Sequence, residues 1–73
     1  MKALYVKWID AKTWTNDWLE DLEIFKLPVC ESRGVIIKED DEAIFLAQTV
    51  SEGDYRNIIG ILKASIKAEV EIP

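Results

Sequence analysis

The sequence predicts a mainly β fold, a small five-stranded antiparallel barrel with one short helix after the first strand. The first observation is a β-hairpin pattern at residues 34–49, where two apolar runs flank the acidic segment 38–42. The second is the strict alternation of apolar and charged residues over 66–72, which is typical of a strand with one buried face. The third is that Gly34 and Gly60 lie inside predicted strands, where a small barrel has to bend.

Length and composition indicate one small domain, residues 1–73. The hydrophobic fraction of 49% is too high for a disordered chain. No apolar run approaches the roughly 20 residues of a membrane-spanning helix. One cysteine and no recognisable export signal lead us to expect a cytoplasmic protein. The net charge of −5 disfavours general binding to nucleic acid and suits a protein partner.

The first strand is predicted at residues 3–11, because apolar and aromatic residues alternate there with period two. Leu4, Val6 and Trp8 share one face, which we expect to be core. The opposite face, which carries Tyr5, is also rather apolar. We therefore expect that face to be covered by another segment or by a second subunit.

A short helix is predicted near residues 17–25. Trp18, Leu22 and Phe25 repeat there at helical spacing, and acidic residues fall in the early turns. Pro28 prevents the helix from continuing, because the residue before a proline is pushed out of the helical conformation.

The second half of the chain predicts four more strands. They are expected at residues 29–38, 43–50, 55–62 and 66–72, with a turn at 51–54. Only three residues, 63–65, separate the last two strands, which is too short for a well-paired hairpin. A single tight helical turn there would carry the last strand to the other side of the barrel.

These features resemble the Src-homology-3-like and Sm-like small barrels. In Sm-like proteins a glycine in the second strand is followed by apolar residues, an acidic turn and a third strand, much as in residues 34–46 here. The likeness covers about the second half of the chain and implies a fold, with no function attached to it.

The chain is also similar to a group of small bacterial and phage proteins that have no assigned activity. The shared marks span most of the sequence: Trp8-Ile9-Asp10-Ala11, Trp14 or Trp18, Ser32-Arg33-Gly34, Asp40-Asp41, Leu46-Ala47, and Ile61 with Ile66. This resemblance implies a phage or mobile-element context and nothing catalytic.

The residue inventory argues against an enzyme, a metal site or a cofactor. The chain has no histidine, so the commonest general base and the commonest metal ligand are both missing. The acidic segment 39–42 lacks the spaced ligands and central glycine of a calcium loop, and we interpret it as a solvated hairpin tip. Cys30 is interpreted as a half-buried apolar filler.

The candidate interface residues are aromatic, since aromatic side chains dominate binding hot spots: Trp14, Trp18, Tyr5 and Tyr55. Trp14 is the strongest of them, because it stands in a polar stretch without a periodic apolar partner. We expect a non-enzymatic binding or assembly module that forms a homo-oligomer, because small barrels leave strand edges open to a neighbour.

Two other functions stay open from the sequence. An Sm-like RNA-binding protein would need a basic patch, and a filter-binding titration against short RNA at two salt concentrations separates it from an assembly module. A peptide-binding adaptor would need a groove of exposed aromatic residues, including Trp14, Trp18 and Tyr55.

Overall fold

The computed structural model describes residues 2–11 and 25–73, and this part of the chain is mainly β. Its strands, with one short 3-10 turn at Lys63–Ser65, are β1 Ala3–Ile9, β2 Val29–Glu39, β3 Ala43–Ser51, β4 Asp54–Leu62 and β5 Ile66–Ile72. The predicted strands and the predicted tight turn before the last strand are therefore confirmed, with ends that differ by at most two residues. The helix predicted at residues 17–25 lies, except for its last residue, outside the described residues and is not confirmed.

The five strands form one antiparallel sheet in the order β4-β3-β2-β1-β5. The first four strands follow one another as neighbours, and the 3-10 turn at Lys63–Ser65 carries β5 across to pair with β1. Among the described strands β4 and β5 do not pair, so they are the two edges of an open sheet. The closed barrel predicted from the sequence is not confirmed.

The core lies on the inner face of the bent sheet. Its buried members come from three strands, and four partly buried side chains pack against them: Leu4, Val6, Ile44, Leu46 and Ile61, with Trp8, Ile36, Ile59 and Ile66. Leu4, Val6 and Trp8 thus share the core face of β1, as the alternation predicted. The Trp8 indole Nε1 donates a hydrogen bond of 3.0 Å to the Ser32 hydroxyl, which satisfies the one buried polar side chain of the described residues.

Gly34 lies where β3 passes very close to β2. A β carbon at this position would lie 2.7 Å from the carbonyl oxygen of Ala47 and 3.0 Å from the β carbon of Leu46. The backbone of β3 therefore crosses so close above Gly34 that only glycine fits. The close approach gives a reason for glycine at this position, and the bend that the sequence predicted here stays a prediction.

The register of β5 differs from the sequence prediction. Residues Lys7 and Trp8 of β1 pair with Ala68 and Ile66, so the register shifts by one residue between them. Because side chains alternate between faces, this shift keeps Ile66 on the core face and turns Val70 to the outside. The predicted buried face of β5 is wrong beyond Ile66, since its later apolar residues are exposed: Ala68, Val70 and Ile72.

The same shift gives a physical reason for the open sheet. Glu69 is paired with Val6 and Glu71 with Leu4, so both carboxylates lie on the face that carries the core. Closing the barrel over them would bury two negative charges, which is costly without partners. In the open sheet both residues stay exposed, and Glu71 lies 3.8 Å from the Lys2 ammonium.

Candidate interaction surface

Large apolar side chains are exposed along both edges of the open sheet. On β4, Ile58 is 52% exposed and Leu62 is 62% exposed. On β5, Val70 is 58% exposed and Ile72 is 37% exposed. These residues lie on the outer face, by which we mean the face of the sheet opposite the core.

The register links the two edges by a continuous apolar row on the outer face. Directly paired residues of neighbouring strands share a face. Following the pairs from β5 to β4 gives a row that crosses all five strands: Ile72, Ala3, Val35, Ala47 and Ile58. The row is exposed at both ends and more buried in the middle, so its two ends are the parts accessible to a partner.

The far end of the β3–β4 hairpin projects beyond the rest of the sheet. The last pair between β2 and β3 in this direction is Val35 with Ala47, whereas β3 and β4 continue to pair as far as Ser51 with Asp54. Residues 48–57, which we call the hairpin arm, are all exposed. A two-stranded ribbon on its own is only marginally stable in water. The stability of the arm therefore depends on its turn and on contacts with any partner.

The turn at the tip of the arm has the geometry of a two-residue hairpin loop. Glu52 and Gly53 both have positive φ, +50° and +84°, as a type I′ turn requires. Asn57 also has a positive φ of +56°, and its side-chain amide donates a 3.5 Å hydrogen bond to the Thr49 hydroxyl across the ribbon. Asparagine tolerates this backbone conformation better than most residues.

The arm has one polar face and one apolar face. Thr49 with Arg56 and Ser51 with Asp54 form the polar pairs, which surround a shallow concave surface. Val50 and Tyr55 form the pair on the opposite face, and both are exposed, Tyr55 by 37%. A strand with one apolar face normally buries that face against another element. Within the described residues this face stays partly exposed.

Polar side chains flank the apolar row on the outer face of β1 and β2. The Tyr5 hydroxyl donates a 2.5 Å hydrogen bond to the Glu31 carboxylate, and the Arg33 guanidinium lies 5.4 Å from the centre of the Tyr5 ring. The hydrogen bond to the Glu31 carboxylate raises the pKa of Tyr5 above its usual value. Tyr5 is thereby fixed on its neighbours and stands directly beside Val70 of β5.

Two lysines lie beyond Val70 along the same part of the sheet. Lys7 is paired with Ala68, two residues from Val70, and Lys67 stands at the register shift. Both lysines are exposed, and in the described part of the chain neither forms an ion pair with a carboxylate. The two lysines therefore place positive charge beside an apolar surface, with Glu31 of β2 paired with Lys7 on its other side.

The sequence-predicted interface residues are placed only in part. Tyr5 lies on the outer face and Tyr55 on the arm, and the register does not bring them together. Trp14 and Trp18 lie outside the described residues. The sequence did not single out the exposed apolar residues of the arm and edges, Val50, Ile58, Leu62, Val70 and Ile72. Only the pairing register shows that these residues are exposed. In the sequence, each of them continues an apolar strand pattern that is equally typical of core residues.

The described part of the chain holds no group of three or more cysteine or acidic side chains that could bind a metal ion. Cys30 is a half-buried free thiol. Within residues 2–11 and 25–73, no helix has the length and apolar character needed to cross a membrane.

The fold and surface define a small, mainly β protein with an open five-stranded antiparallel sheet and a projecting hairpin. No family model matches this chain, and no match was found among curated proteins or among solved structures.

Proposed function

We propose that the protein is a non-enzymatic assembly module, in which copies of the small β domain associate with one another. One observation carries the proposal: the open sheet exposes large apolar side chains at both unpaired edges, on β4 and on β5. Unpaired strand edges and contiguous apolar surface are the features by which β proteins associate.

The balance of buried and exposed apolar residues supports self-association. Six hydrophobic residues of the described chain are buried, whereas nine large hydrophobic side chains are exposed. A domain of this size buries a smaller share of its surface than larger domains do, and oligomerisation is a common way to add apolar burial. A second copy of the chain carries the same exposed apolar side chains, so two copies can bury them against each other.

Static light scattering at tens of micromolar tests this function, because edge-to-edge association of small domains is expected in this range. We expect a mass that is a multiple of 8.4 kDa. Replacing Ile58 and Leu62 by lysine should lower the mass toward the monomer, whereas the matched control Ala64→Lys, at an exposed site in the 3-10 turn, should not. A wild-type monomer throughout this range would overturn the proposal.

We also propose that the chain is an open relative of the Src-homology-3-like and Sm-like barrels. The strand order, with β5 carried beside β1 by a tight turn, supports this relationship. The resemblance to small phage proteins adds the proposal of a phage or mobile-element context. Capsid or integrase genes beside the coding sequence would support that context, and a gene neighbourhood of unrelated cellular genes would count against it.

A further inference from the structure

We propose that the hairpin arm of one copy docks on the outer face of β5 and β1 of a second copy. The proposal rests on the self-association proposed above and names one contact within it. The arm contributes the apolar pair Val50 and Tyr55, and the acceptor surface contributes Val70 with Tyr5 beside it.

Within the described residues, Val50 and Tyr55 of the arm stay partly exposed. Val50 is 45% exposed, and the whole arm extends past the last β2–β3 pair. Val70 on the acceptor surface is likewise exposed, so the two surfaces do not bury each other within one copy. Each copy therefore exposes both the arm and the acceptor surface.

The charges of the two surfaces also favour this contact. One acidic residue, Glu52, stands in the turn at the tip of the arm, whereas Asp54 lies on the polar face with Ser51. Two lysines that form no ion pair within the described residues, Lys7 and Lys67, stand beside the acceptor surface, where Glu31 is the β2 neighbour of Lys7. In a chain with a net charge of −5, this is a place where an acidic tip finds complementary charge.

The distance between the apolar and the charged residues is the same on the arm and on the acceptor surface. On the acceptor, Lys7 lies opposite Ala68, which is two residues, or about 7 Å, along β5 from Val70. On the arm, Glu52 is two residues from Val50, which is also about 7 Å in an extended strand. An arm laid along β5 therefore places its apolar pair on Val70 and its acidic tip near Lys7 in the same alignment.

One alternative mode of pairing fits less well. Two β5 strands paired antiparallel edge to edge about Val70 would bring Glu69 of one copy near Glu71 of the other, which places like charges together. The arm brings apolar and acidic groups to β5 instead, so it avoids this repulsion.

Sedimentation equilibrium of the full chain and its variants tests the contact. Tyr55→Ser and Val70→Thr should each weaken self-association by about tenfold or more, as expected for residues at the centre of a contact. Ser51→Ala on the polar face of the arm and Glu69→Gln on the opposite face of β5 are matched controls and should leave it unchanged. Circular dichroism confirms that each variant keeps its fold.

A charge exchange makes the test specific. The variant Glu52→Lys, and the variant Lys7→Glu with Lys67→Glu, should each associate weakly alone. Mixing the two should restore association, because each arm then faces an acceptor of opposite charge. If the wild type associates but the arm and acceptor variants associate equally well, the docking proposal is overturned and the assembly function stands. If the wild type is a monomer, both are overturned.

Discussion

Gly34 allows the close approach of β2 and β3 within the sheet. The β carbon of an alanine at position 34 would approach the Ala47 carbonyl oxygen to 2.7 Å, and a backbone atom cannot move aside as a flexible side chain does. We expect Gly34→Ala to lower the free energy of unfolding by about 1–3 kcal/mol, the usual cost of overpacking. Urea denaturation measures this, with the exposed strand substitution Glu69→Ala as a control. Equal stability of the two variants would show that the sheet does not need the close approach.

Asp40 orders the acidic turn between β2 and β3. Its carboxylate accepts hydrogen bonds of 2.8 and 2.9 Å from the backbone N–H groups of Glu42 and Ala43. These two donors lower the pKa of Asp40 below its usual value. The acidic tip that could suggest a metal site thus has a structural role in the turn.

The lowered pKa of Asp40 gives a pH dependence with a definite sign. Since the folded-state pKa is below the unfolded value of about 3.9, the stabilisation is present above pH 4 and is lost as pH falls through the folded-state pKa. Thermal unfolding between pH 5 and pH 2 should show a shallower loss of stability for Asp40→Asn than for the wild type. Asp41→Asn is the neighbouring control. A wild-type slope in Asp40→Asn would contradict this role.

The hairpin arm is strained at its first turn position. Glu52 adopts a positive φ of +50°, which costs an ordinary residue about 1 kcal/mol and which asparagine tolerates better. Glu52→Asn should stabilise the arm by about 0.5–1 kcal/mol. Glu52→Gln removes the same charge without favouring positive φ and should not. Amide hydrogen exchange of residues 48–57 in dilute protein measures the difference, and equal exchange in both variants would contradict the turn geometry.

Periodicity and turn chemistry predicted most of the strands and turns correctly. The alternation in β1 identified Leu4 and Val6 as core, and the three-residue gap at Lys63–Ser65 indicated the tight turn that moves β5 to the far edge. The exposed face of β5 was missed, because a one-residue register shift beside Lys7 leaves no trace in the sequence.

The candidate surface was harder to predict than the strands. A hairpin pattern shows that β3 and β4 pair, but not where β2 stops pairing with β3, and that difference alone creates the arm. Tyr55 was singled out as an aromatic residue, whereas Val50 and Val70 follow the same alternation as core residues. Their exposure depends on long-range pairing, which no local pattern encodes.

The whole molecule is elongated for its length. The radius of gyration is 15.4 Å and the longest axis is 51 Å against 22 Å for the other two. A compact domain of 73 residues would have a radius of gyration of about 11 Å. In the described residues this shape goes with large apolar side chains that stay exposed. The dimensions therefore favour a protein whose apolar surface is completed by another copy.

Amide hydrogen exchange at two protein concentrations tests whether a second copy completes that surface. The ribbon of the arm opens easily when it is alone, so its amides should exchange fast in dilute solution. At high concentration we predict slower exchange in both residues 48–57 and β5, Ile66–Ile72, while the acidic turn at 40–42 is unchanged. Exchange in the arm and in β5 that is the same at both concentrations would contradict assembly through this surface.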